Sequence, residues 1–389
     1  MILPLSYNVR NLVVRWKVTV LAVGGIALVV AVFVVLLAMS TGFRLALRAT
    51  GSTDNAVVVQ RGSSSELTSF FSRDAASIVT SDPRVARGAD GQPLASPEIV
   101  IVASLPRKAD GNPTNVTVRG VTPRVIQVRR GIRIAEGRPF TAGLNEVIVG
   151  ARIRDRVRGL QIGQSISVQK RDWTVVGIFE ADGGAFESEI WGDYDIMGPA
   201  FLRSGGQNSL TVRIADPATL EAFDRDLQAD PRVQIQAIQE RKYYEDQSGP
   251  VAGPLLALAT FVAIVLGTGA VFGALNTMDA VVAARTREIG TLRALGFSRR
   301  SILAAFVIES EFLALAGGVI GCLLALPANG IMGGTGNTAS FSEIAFAFRV
   351  TPDVLIAAML FAAVMGFLGG VIPAVRAARL PIISALREA

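Results

Sequence analysis

The sequence has no histidine and a single cysteine, Cys322, among its 389 residues. The absence of histidine excludes histidine triads, histidine general bases and histidine metal sites. One cysteine excludes a disulfide within the chain and any CxxC zinc or redox site. We therefore expect no metal site on this chain.

Lysine is also rare, with four residues among the 38 basic side chains, and none of them follows a glycine. The phosphate-binding loop GxxxxGK[ST] is absent, so nucleotide hydrolysis has to come from a partner. We predict that the chain is not an enzyme, has no catalytic residue and holds no cofactor of its own. Charge is scarce as well, at 18% of the residues against about 25% in a typical globular protein.

The missing charge is concentrated in four long apolar runs. The first, Val18 to Met39, is long enough to cross a membrane, which takes about 20 helical residues. The other three have their apolar parts at Leu255 to Met278, Ile302 to Leu326 and Val354 to Ile372. A cleaved signal peptide is a weaker interpretation of the first run, because the apolar part of such a peptide has only about 7 to 15 residues. We predict four transmembrane helices.

Basic residues indicate how these helices are oriented. The N-terminal flank, the loop 279–300 and the C-terminal tail together carry eleven basic and three acidic residues. Residues 44 to 246 are balanced, with 26 basic and 25 acidic side chains. The positive-inside rule then puts both termini and the loop 279–300 in the cytoplasm. The net charge of +6 is explained by topology and anionic membrane lipid, so we expect no nucleic-acid partner.

The sequence between the first two apolar runs has the patterns of a folded external domain. β-branched patterns predict strands at Ala56 to Arg61, Glu98 to Ser104, Asn115 to Val121, Glu146 to Val149, Ser165 to Gln169, Trp173 to Phe179, Leu210 to Ile214 and Val233 to Ile238. The run SSSE (63–66) predicts a capping box and a helix to about Ser81, and Asp216 with Pro217 opens another helix. We predict a cytoplasmic segment and first helix (1–43), an α+β extracytoplasmic domain (44–248) with a mainly β insertion at about 132–200, and three further helices (249–389).

The loop after the second span carries the most informative segment, RTREIGTLRALGFS (285–298). Ile289, Leu292 and Leu295 recur every three residues, so one apolar stripe faces away from Arg287 and Arg293. This pattern predicts a short helix that is pressed against another surface. A solvated basic loop is the alternative that composition alone leaves open.

Together with the C-terminal run GVIPAVRAARLP (370–381), this segment resembles the MacB-type or FtsX-like permeases of ABC systems. In that family a motif RxREIGxLRALG follows the second membrane helix. The segments NVRNL (8–12), NEVIVG (145–150) and WTVVG (173–177) are also similar. The resemblance covers nearly the whole chain in the right order, and the family has the same four spans with a large domain after the first.

The resemblance implies a multi-pass permease of the bacterial inner membrane. Such a permease pairs with a second permease chain, identical or different, and recruits separately encoded ATPase subunits that bind ATP and Mg. The segment 285–300 would be a coupling helix continuous with the second span. The positions carried over are Arg285, Arg287, Glu288, Ile289, Leu292, Arg293 and Gly296. MacB proper carries its ATPase on the same chain, whereas no ATPase motif occurs here.

The resemblance leaves two functions open. One is transmission of ATP-driven change to the external domain, for export or for lipid, lipoprotein or peptide handling. The other is an FtsX-like signalling scaffold that regulates an external hydrolase. A neighbouring gene for a periplasmic adaptor, or membrane fusion protein, favours export, and one for a coiled-coil hydrolase favours signalling. A secondary transporter is disfavoured, because the chain has four spans and no visible repeat.

Two carboxylates interrupt the third span, Glu309 and Glu311. A charge near the bilayer centre costs about 2.5 kcal/mol or more, so neither is expected to face lipid. They lie about 200° apart around a helix and cannot share one site, so we expect one to face the bundle and the other a dimer contact. We favour a structural hydrogen bond to Asn276, Thr277 or Ser310 over a proton or substrate relay. A glutamate near 309 fits the family pattern, whereas one at 311 does not.

Glycine pairs, aromatic residues and two short polar runs give further predictions. Three small-xxx-small pairs predict close helix packing: Gly269 and Gly273, Gly317 and Gly321, and Gly366 and Gly370. Interfacial positions are predicted for Tyr243, Tyr244, Phe341, Phe346 and Phe348. The run GGTG (333–336) reads as a flexible turn. Five neighbouring carboxylates are expected to form a solvated acidic loop, which we prefer to a calcium site. They are Asp182, Glu187, Glu189, Asp193 and Asp195.

Overall fold

The computed structural model describes residues 16–337 and 339–381. In chain order the helices are α1 (Trp16–Arg48), α2 (Arg73–Ser81), α3 (Val125–Val128), α4 (Ala151–Arg154), α5 (Tyr194–Ala200), α6 (Leu220–Ala229), α7 (Glu240–Asp246), α8 (Gly249–Ala284), α9 (Thr286–Ala294), α10 (Arg299–Ala325) and α11 (Pro352–Arg379). The strands are β1 (Asn55–Gln60), β2 (Phe71–Ser72), β3 (Ala95–Pro106), β4 (Pro113–Val121), β5 (Ile132–Gly137), β6 (Glu146–Gly150), β7 (Ser165–Val168), β8 (Arg171–Ala181), β9 (Glu189–Asp193), β10 (Gly206–Gln207), β11 (Ser209–Arg213), β12 (Ile235–Gln239), β13 (Met332–Asn337) and β14 (Ser342–Ala347).

These elements form two compact units. Among the described residues, the helical unit comprises 16–41, 254–331 and 348–381, and the sheet unit comprises 42–253, 332–337 and 339–347. Four helices are long and apolar enough to cross a membrane, namely α1, α8, α10 and α11. A mixed α/β region lies between the first two of them in the chain, so the predicted fold class is confirmed.

Glycines set the contacts inside the helical unit. A methyl group on Gly321 of α10 would lie 2.6 Å from the carbonyl oxygen of Ala27 on α1. Gly317 packs on Ile26 of α1 in the same way, and a methyl on Gly366 of α11 would lie 2.5 Å from Ala314 Cβ on α10. The Ser310 hydroxyl fills the space that a side chain at Gly370 would need and donates a hydrogen bond of 2.8 Å to the Gly366 carbonyl. Backbones approach closely because no side chain intervenes.

Gly269 and Gly273 on α8 behave differently from these four glycines. A methyl group at either position would meet no described atom within 4 Å. The same helix has exposed apolar side chains, including Phe261 and Phe272. The glycine pair on α8 therefore packs against nothing in the described part of this chain.

The sheet unit is built on a ten-stranded sheet in the order β12-β1-β11-β3-β4-β9-β6-β8-β5, with β7 also paired to β8. β1 runs antiparallel to both β11 and β12, which α6 connects. The apolar faces of α2 and α6 cover this end of the sheet, where Val79, Phe223 and Leu227 join the core with Leu210. The predicted strand-helix-strand unit near the end of the external domain is therefore present.

The helix predicted from the run SSSE begins later than the capping box indicated. A short 3-10 turn, Glu66–Thr68, follows Ser65, whose side chain caps nothing. α2 begins only at Arg73, where the Ser72 hydroxyl accepts from the Ala75 N–H at 3.3 Å. The expected cap fails because the Glu66 carboxylate binds Arg119 and Ser209 instead of its own backbone.

The run GGTG forms a strand, so the predicted flexible turn is wrong. β13 pairs antiparallel with β14 from Met332 opposite Ala347 to Asn337 opposite Ser342. Phe346, predicted at the membrane interface, is buried with its ring edge against Phe43, the centroids 5.5 Å apart. Phe341 is 65% exposed. The backbone hydrogen bonds between β13 and β14 stabilise the strand by more than the conformational entropy that its glycines lose.

Candidate coupling site

A break separates the second span from the following short helix. α8 ends at Ala284 and α9 begins at Thr286, while Arg285 between them has φ −117° and ψ 13°, outside the helical range. The Thr286 hydroxyl donates to the carbonyls of Val282 at 3.3 Å and Ala283 at 2.9 Å. A hydroxyl that bonds these carbonyls competes with helix continuation. The expected helix continuous with the second span is therefore wrong.

The side chain of Arg285 turns inward to a buried ion pair with Glu309 of α10. Arg285 Nη1 lies 3.0 Å from Glu309 Oε2, and the two side chains are only 7% and 5% exposed. Arg285 Nε also donates to Glu288 at 3.1 Å, and the guanidinium lies over the Phe306 ring. A buried charge is tolerated only when it is paired in this way. The sequence pattern contains no signal that identifies Arg285 as the partner of Glu309.

The three predicted partners of the intramembrane carboxylates are engaged elsewhere or exposed. The Thr277 hydroxyl donates to the Gly273 carbonyl at 2.9 Å, and Ser310 binds the Gly366 carbonyl. Asn276 is exposed on α8. Glu311 is half-buried, and its carboxylate lies beside Gly366 of α11.

The helix α9 is anchored at one end and exposed at the other. Ile289 is 2% exposed and packs with Ile302 and Phe306 of α10. Leu292 is half-buried, but Leu295 is 71% exposed, so the predicted apolar stripe is only partly covered by this chain. α9 thus has an inward face fixed to α10 and an outward face open to a partner.

The outward face of α9 carries charge. Arg287 and Glu288 are exposed, whereas Arg293 is half-buried with an Nε that has no hydrogen-bond partner among the described residues. Gly296 ends the segment with φ +94°, a conformation that favours glycine. Of the residues predicted to contact an ATPase, Arg287, Glu288 and Gly296 lie outward, while Arg285 and Ile289 lie inward.

A second polar cluster fixes α7, the short helix that directly precedes α8 in the chain. Glu240 is fully buried and accepts from Arg129 Nε at 2.6 Å and Asn55 Nδ2 at 2.9 Å. Tyr243 accepts at 2.8 Å from the Glu66 N–H, and the Tyr244 hydroxyl donates to the Glu66 carboxylate at 3.2 Å. The interfacial positions predicted for these two tyrosines are therefore wrong, because both are buried in the sheet unit.

The cluster continues through two buried arginines. Arg119 pairs with Glu66, Glu98 and Glu189, and Arg129 pairs with Glu98 as well as Glu240. Burial raises the pKa of Glu98, and the nearby Glu66 charge adds to that rise, so that Arg129 and Arg119 do not offset it. Burial also acts on Glu66, but there Arg119 prevails and the pKa of Glu66 is lowered. Two guanidinium groups thus face four carboxylates in this cluster, Glu66, Glu98, Glu189 and Glu240.

The predicted solvated acidic loop is wrong for three of its five carboxylates. Glu187 pairs with Arg152 at 3.0 Å and accepts from two backbone N–H groups, while Glu189 binds Arg119 and the Trp191 indole. Asp193 is buried and caps α5 by accepting from the Asp195 N–H. The described residues hold no group of three or more His, Cys, Asp or Glu side chains arranged for a metal ion.

The model of the MacB-like periplasmic core domain matches residues 19–230, and that of the FtsX-like permease C-terminal region matches residues 260–382. The chain belongs to the MacB/FtsX-like ABC transporter permease family. Four apolar helices and this membership make it a multi-pass protein of the inner membrane.

Two curated relatives illustrate the similarity. The chain is 27% identical over 342 residues to the macrolide export ATP-binding/permease protein MacB of Bordetella avium, a match that covers 82% of this chain and 50% of that protein. It is 26% identical over 298 residues to the uncharacterized ABC transporter permease YknZ of Bacillus subtilis, covering 70% of each. The chain thus spans about half the length of its MacB relatives. The periplasmic region of MacB from Actinobacillus actinomycetemcomitans aligns with a TM-score of 0.38 at 11% identity, over 51% of this chain and 94% of that one.

Proposed function

We propose that this chain is a permease subunit that passes ATP-driven conformational change from cytoplasmic ATPase subunits to its sheet unit. The observation that carries the proposal is the buried Arg285–Glu309 pair. It ties the start of α9 to a point about 15 Å along α10, so a force on α9 is transmitted into the helical unit. The ATPases, not this chain, bind ATP and Mg.

The outward face of α9 supports an ATPase as the partner. Arg287 offers an exposed positive charge, and Leu295 offers an exposed apolar side chain. Glu288 adds an exposed carboxylate that also accepts from Arg285. Charged and apolar groups combined on one face are typical of a specific docking surface. The excess of basic residues in this segment supports a cytoplasmic location.

Chain connectivity supports transmission to the sheet unit. Only residues 247 and 248 separate α7 from α8. α7 is held in the sheet unit by the buried contacts of Glu240, Tyr243 and Tyr244. A displacement of α8 is therefore passed to the sheet unit through a short and firmly held connection. Two such chains, identical or different, would work together in export or in lipid, lipoprotein or peptide handling.

The test is co-purification of the full chain with its ATPase, followed by ATPase turnover. Arg287→Glu should reduce both association and stimulation of turnover about tenfold or more, since the reversed charge faces the partner. Arg171→Glu, at an exposed position on β8 of the sheet unit, is the matched control and should leave both unchanged. Unchanged association and stimulation with Arg287→Glu would remove the coupling assignment.

A further inference from the structure

A small cavity lies inside the sheet unit, beside the buried carboxylate of Glu240. Its walls include residues that follow α1, the start of β5, the end of β8 and the first turn of α7. The volume is about 180 Å³. One water molecule needs only about 10 to 15 Å³ of such space, and a drug-sized ligand occupies a site of about 300 Å³ or more. The cavity therefore has room for a ligand of a few heavy atoms.

Asn55, at the start of β1, brings a buried acceptor without a partner to this cavity. The residue is fully buried and lines the cavity. Its Nδ2 donates to the Val128 carbonyl at 3.2 Å and to Glu240 Oε2 at 2.9 Å. Both of these groups only accept, so the amide cannot be turned around, and Oδ1 is left with no hydrogen bond to any described residue. Since an unpaired buried acceptor is costly, a bound molecule that donates to it is stabilised here.

Two guanidinium groups at the same cavity have no counter-charge. Arg130 and Arg241 line it and are exposed, and neither forms an ion pair with any described residue. Guanidinium groups donate in a planar fork that matches a carboxylate or a phosphate. The positive side of the cavity therefore favours an anionic group on the ligand.

A third arginine adds to this positive charge. Arg213 lies opposite Asn55 in the pairing of β1 with β11 and is 6% exposed. Its Nη2 donates to the Val128 carbonyl, while its Nε has no partner among the described residues. Burial and the neighbouring charge of Arg130 lower the pKa of Arg213. An anion bound at Arg130 would offset the repulsion between these two guanidinium groups.

The cavity also has an unpaired carboxylate. Asp182, which directly follows β8, is exposed and lines the cavity, and no described residue forms an ion pair with it. Its carboxylate lies over Gly131, where a methyl group would be 2.7 Å from Asp182 Oδ2. Unpaired acceptors and unpaired cations at one small cavity complement a molecule that carries both signs of charge.

We propose that this cavity binds small α-amino acids as zwitterions. The ammonium group donates to Asn55 Oδ1 and to the Asp182 carboxylate, and the ligand carboxylate accepts from Arg130 and Arg241. The volume restricts the ligand to a side chain of a few atoms. Binding requires neither an ATPase nor α9, so this proposal and the proposed coupling function fail independently.

The experiment measures equilibrium binding of radiolabelled L-alanine to the full chain in lipid nanodiscs. Two competitors each lack one group: isobutyrate has a methyl group in place of the ammonium, and isopropylamine has no carboxylate. Each should bind about tenfold or more weakly than L-alanine, because charge-assisted hydrogen bonds are lost. Either competitor binding as tightly as L-alanine overturns the zwitterion assignment. The absence of saturable L-alanine binding overturns it as well and leaves the cavity to water.

Variants of the exposed residues at the cavity separate its two charges. Arg130→Gln should weaken both L-alanine and isobutyrate about tenfold, whereas Asp182→Asn should weaken L-alanine and leave isobutyrate unchanged. Arg61→Gln, at an exposed position directly after β1 and outside the cavity, is the matched control and should bind as the parent does. Thermal melting establishes that each variant is folded. Equal L-alanine affinity of the parent and Arg130→Gln overturns the proposal, as does an equal loss of both ligands with Asp182→Asn.

Discussion

Arg285 and Glu309 are 24 residues apart in the chain, yet Nη1 of one and Oε2 of the other lie 3.0 Å apart in a buried pair. Removing one partner leaves the other charge buried, which costs about 3 to 5 kcal/mol. We expect Glu309→Gln to lower the free energy of unfolding by this amount and Glu309→Gln with Arg285→Met to lower it less. Denaturant unfolding in detergent measures both.

An exposed ion pair in the same unit provides the control for that experiment. Arg376 Nη1 lies 2.5 Å from Asp279 Oδ2, and the two side chains are 64% and 39% exposed. Asp279→Asn should cost about 0 to 1 kcal/mol, because water replaces the lost contact. A Glu309→Gln variant no less stable than Asp279→Asn would contradict the structural role of the buried pair.

The four spans could be predicted because length and apolarity are local properties of the sequence. The partner of Glu309 could not, since it depends on the break at Arg285 that brings a distant side chain inward. The burial of Tyr244 and Glu189 likewise depends on strands that are remote in sequence. One signal was present: Arg119 interrupts a β-branched strand pattern, and a charge inside such a strand calls for a buried counter-charge.

The buried arginine cluster is expected to contribute strongly to the stability of the sheet unit. Arg119→Met removes the partner of Glu66, Glu98 and Glu189 and should cost about 3 to 5 kcal/mol of unfolding free energy. Trp191 fluorescence reports the change, because its indole N–H donates to Glu189 at 2.7 Å. Arg232→Met, whose guanidinium pairs with Asp230 at the surface, should cost about 0 to 1 kcal/mol. Equal losses for the two variants would show that the cluster contributes no more than a surface pair.

Glu146 gives the sheet unit a defined acid sensitivity. Its hydrogen bonds to Arg138, which outweigh burial, lower the pKa from 4.5 to about 2. The folded pKa lies below the unfolded one, so this stabilisation is full above the unfolded value and is lost as the pH falls toward about 2. The melting temperature of Glu146→Gln should therefore lie below that of the parent at pH values above about 5 and converge with it near the folded pKa. A gap that persists undiminished in acid would contradict the assignment.

Glycine substitutions separate packing within the chain from packing against a second chain. Gly321→Ala brings a methyl group to 2.6 Å from the Ala27 carbonyl and should destabilise the chain by about 1 to 3 kcal/mol. Gly273→Ala meets nothing described within 4 Å and should leave thermal stability unchanged or slightly raised. If Gly273→Ala instead weakens self-association in crosslinking, the open face of α8 is the place where the second chain packs. A destabilised Gly273→Ala monomer would contradict the open environment of this glycine.

The orientation of the coupling segment is testable because Cys322 is the only cysteine in the sequence. In a Cys322→Ser background, Ser298→Cys and Ser167→Cys introduce exposed thiols before α10 and on β7. If the basic segment is cytoplasmic, a membrane-impermeant maleimide added to spheroplasts should label Ser167→Cys at once and Ser298→Cys only after lysis. The reverse pattern would place α9 on the side away from ATP, and no ATPase could then act on Arg287. Labelling of both thiols before lysis would point to leaky spheroplasts, which a cytoplasmic marker enzyme detects.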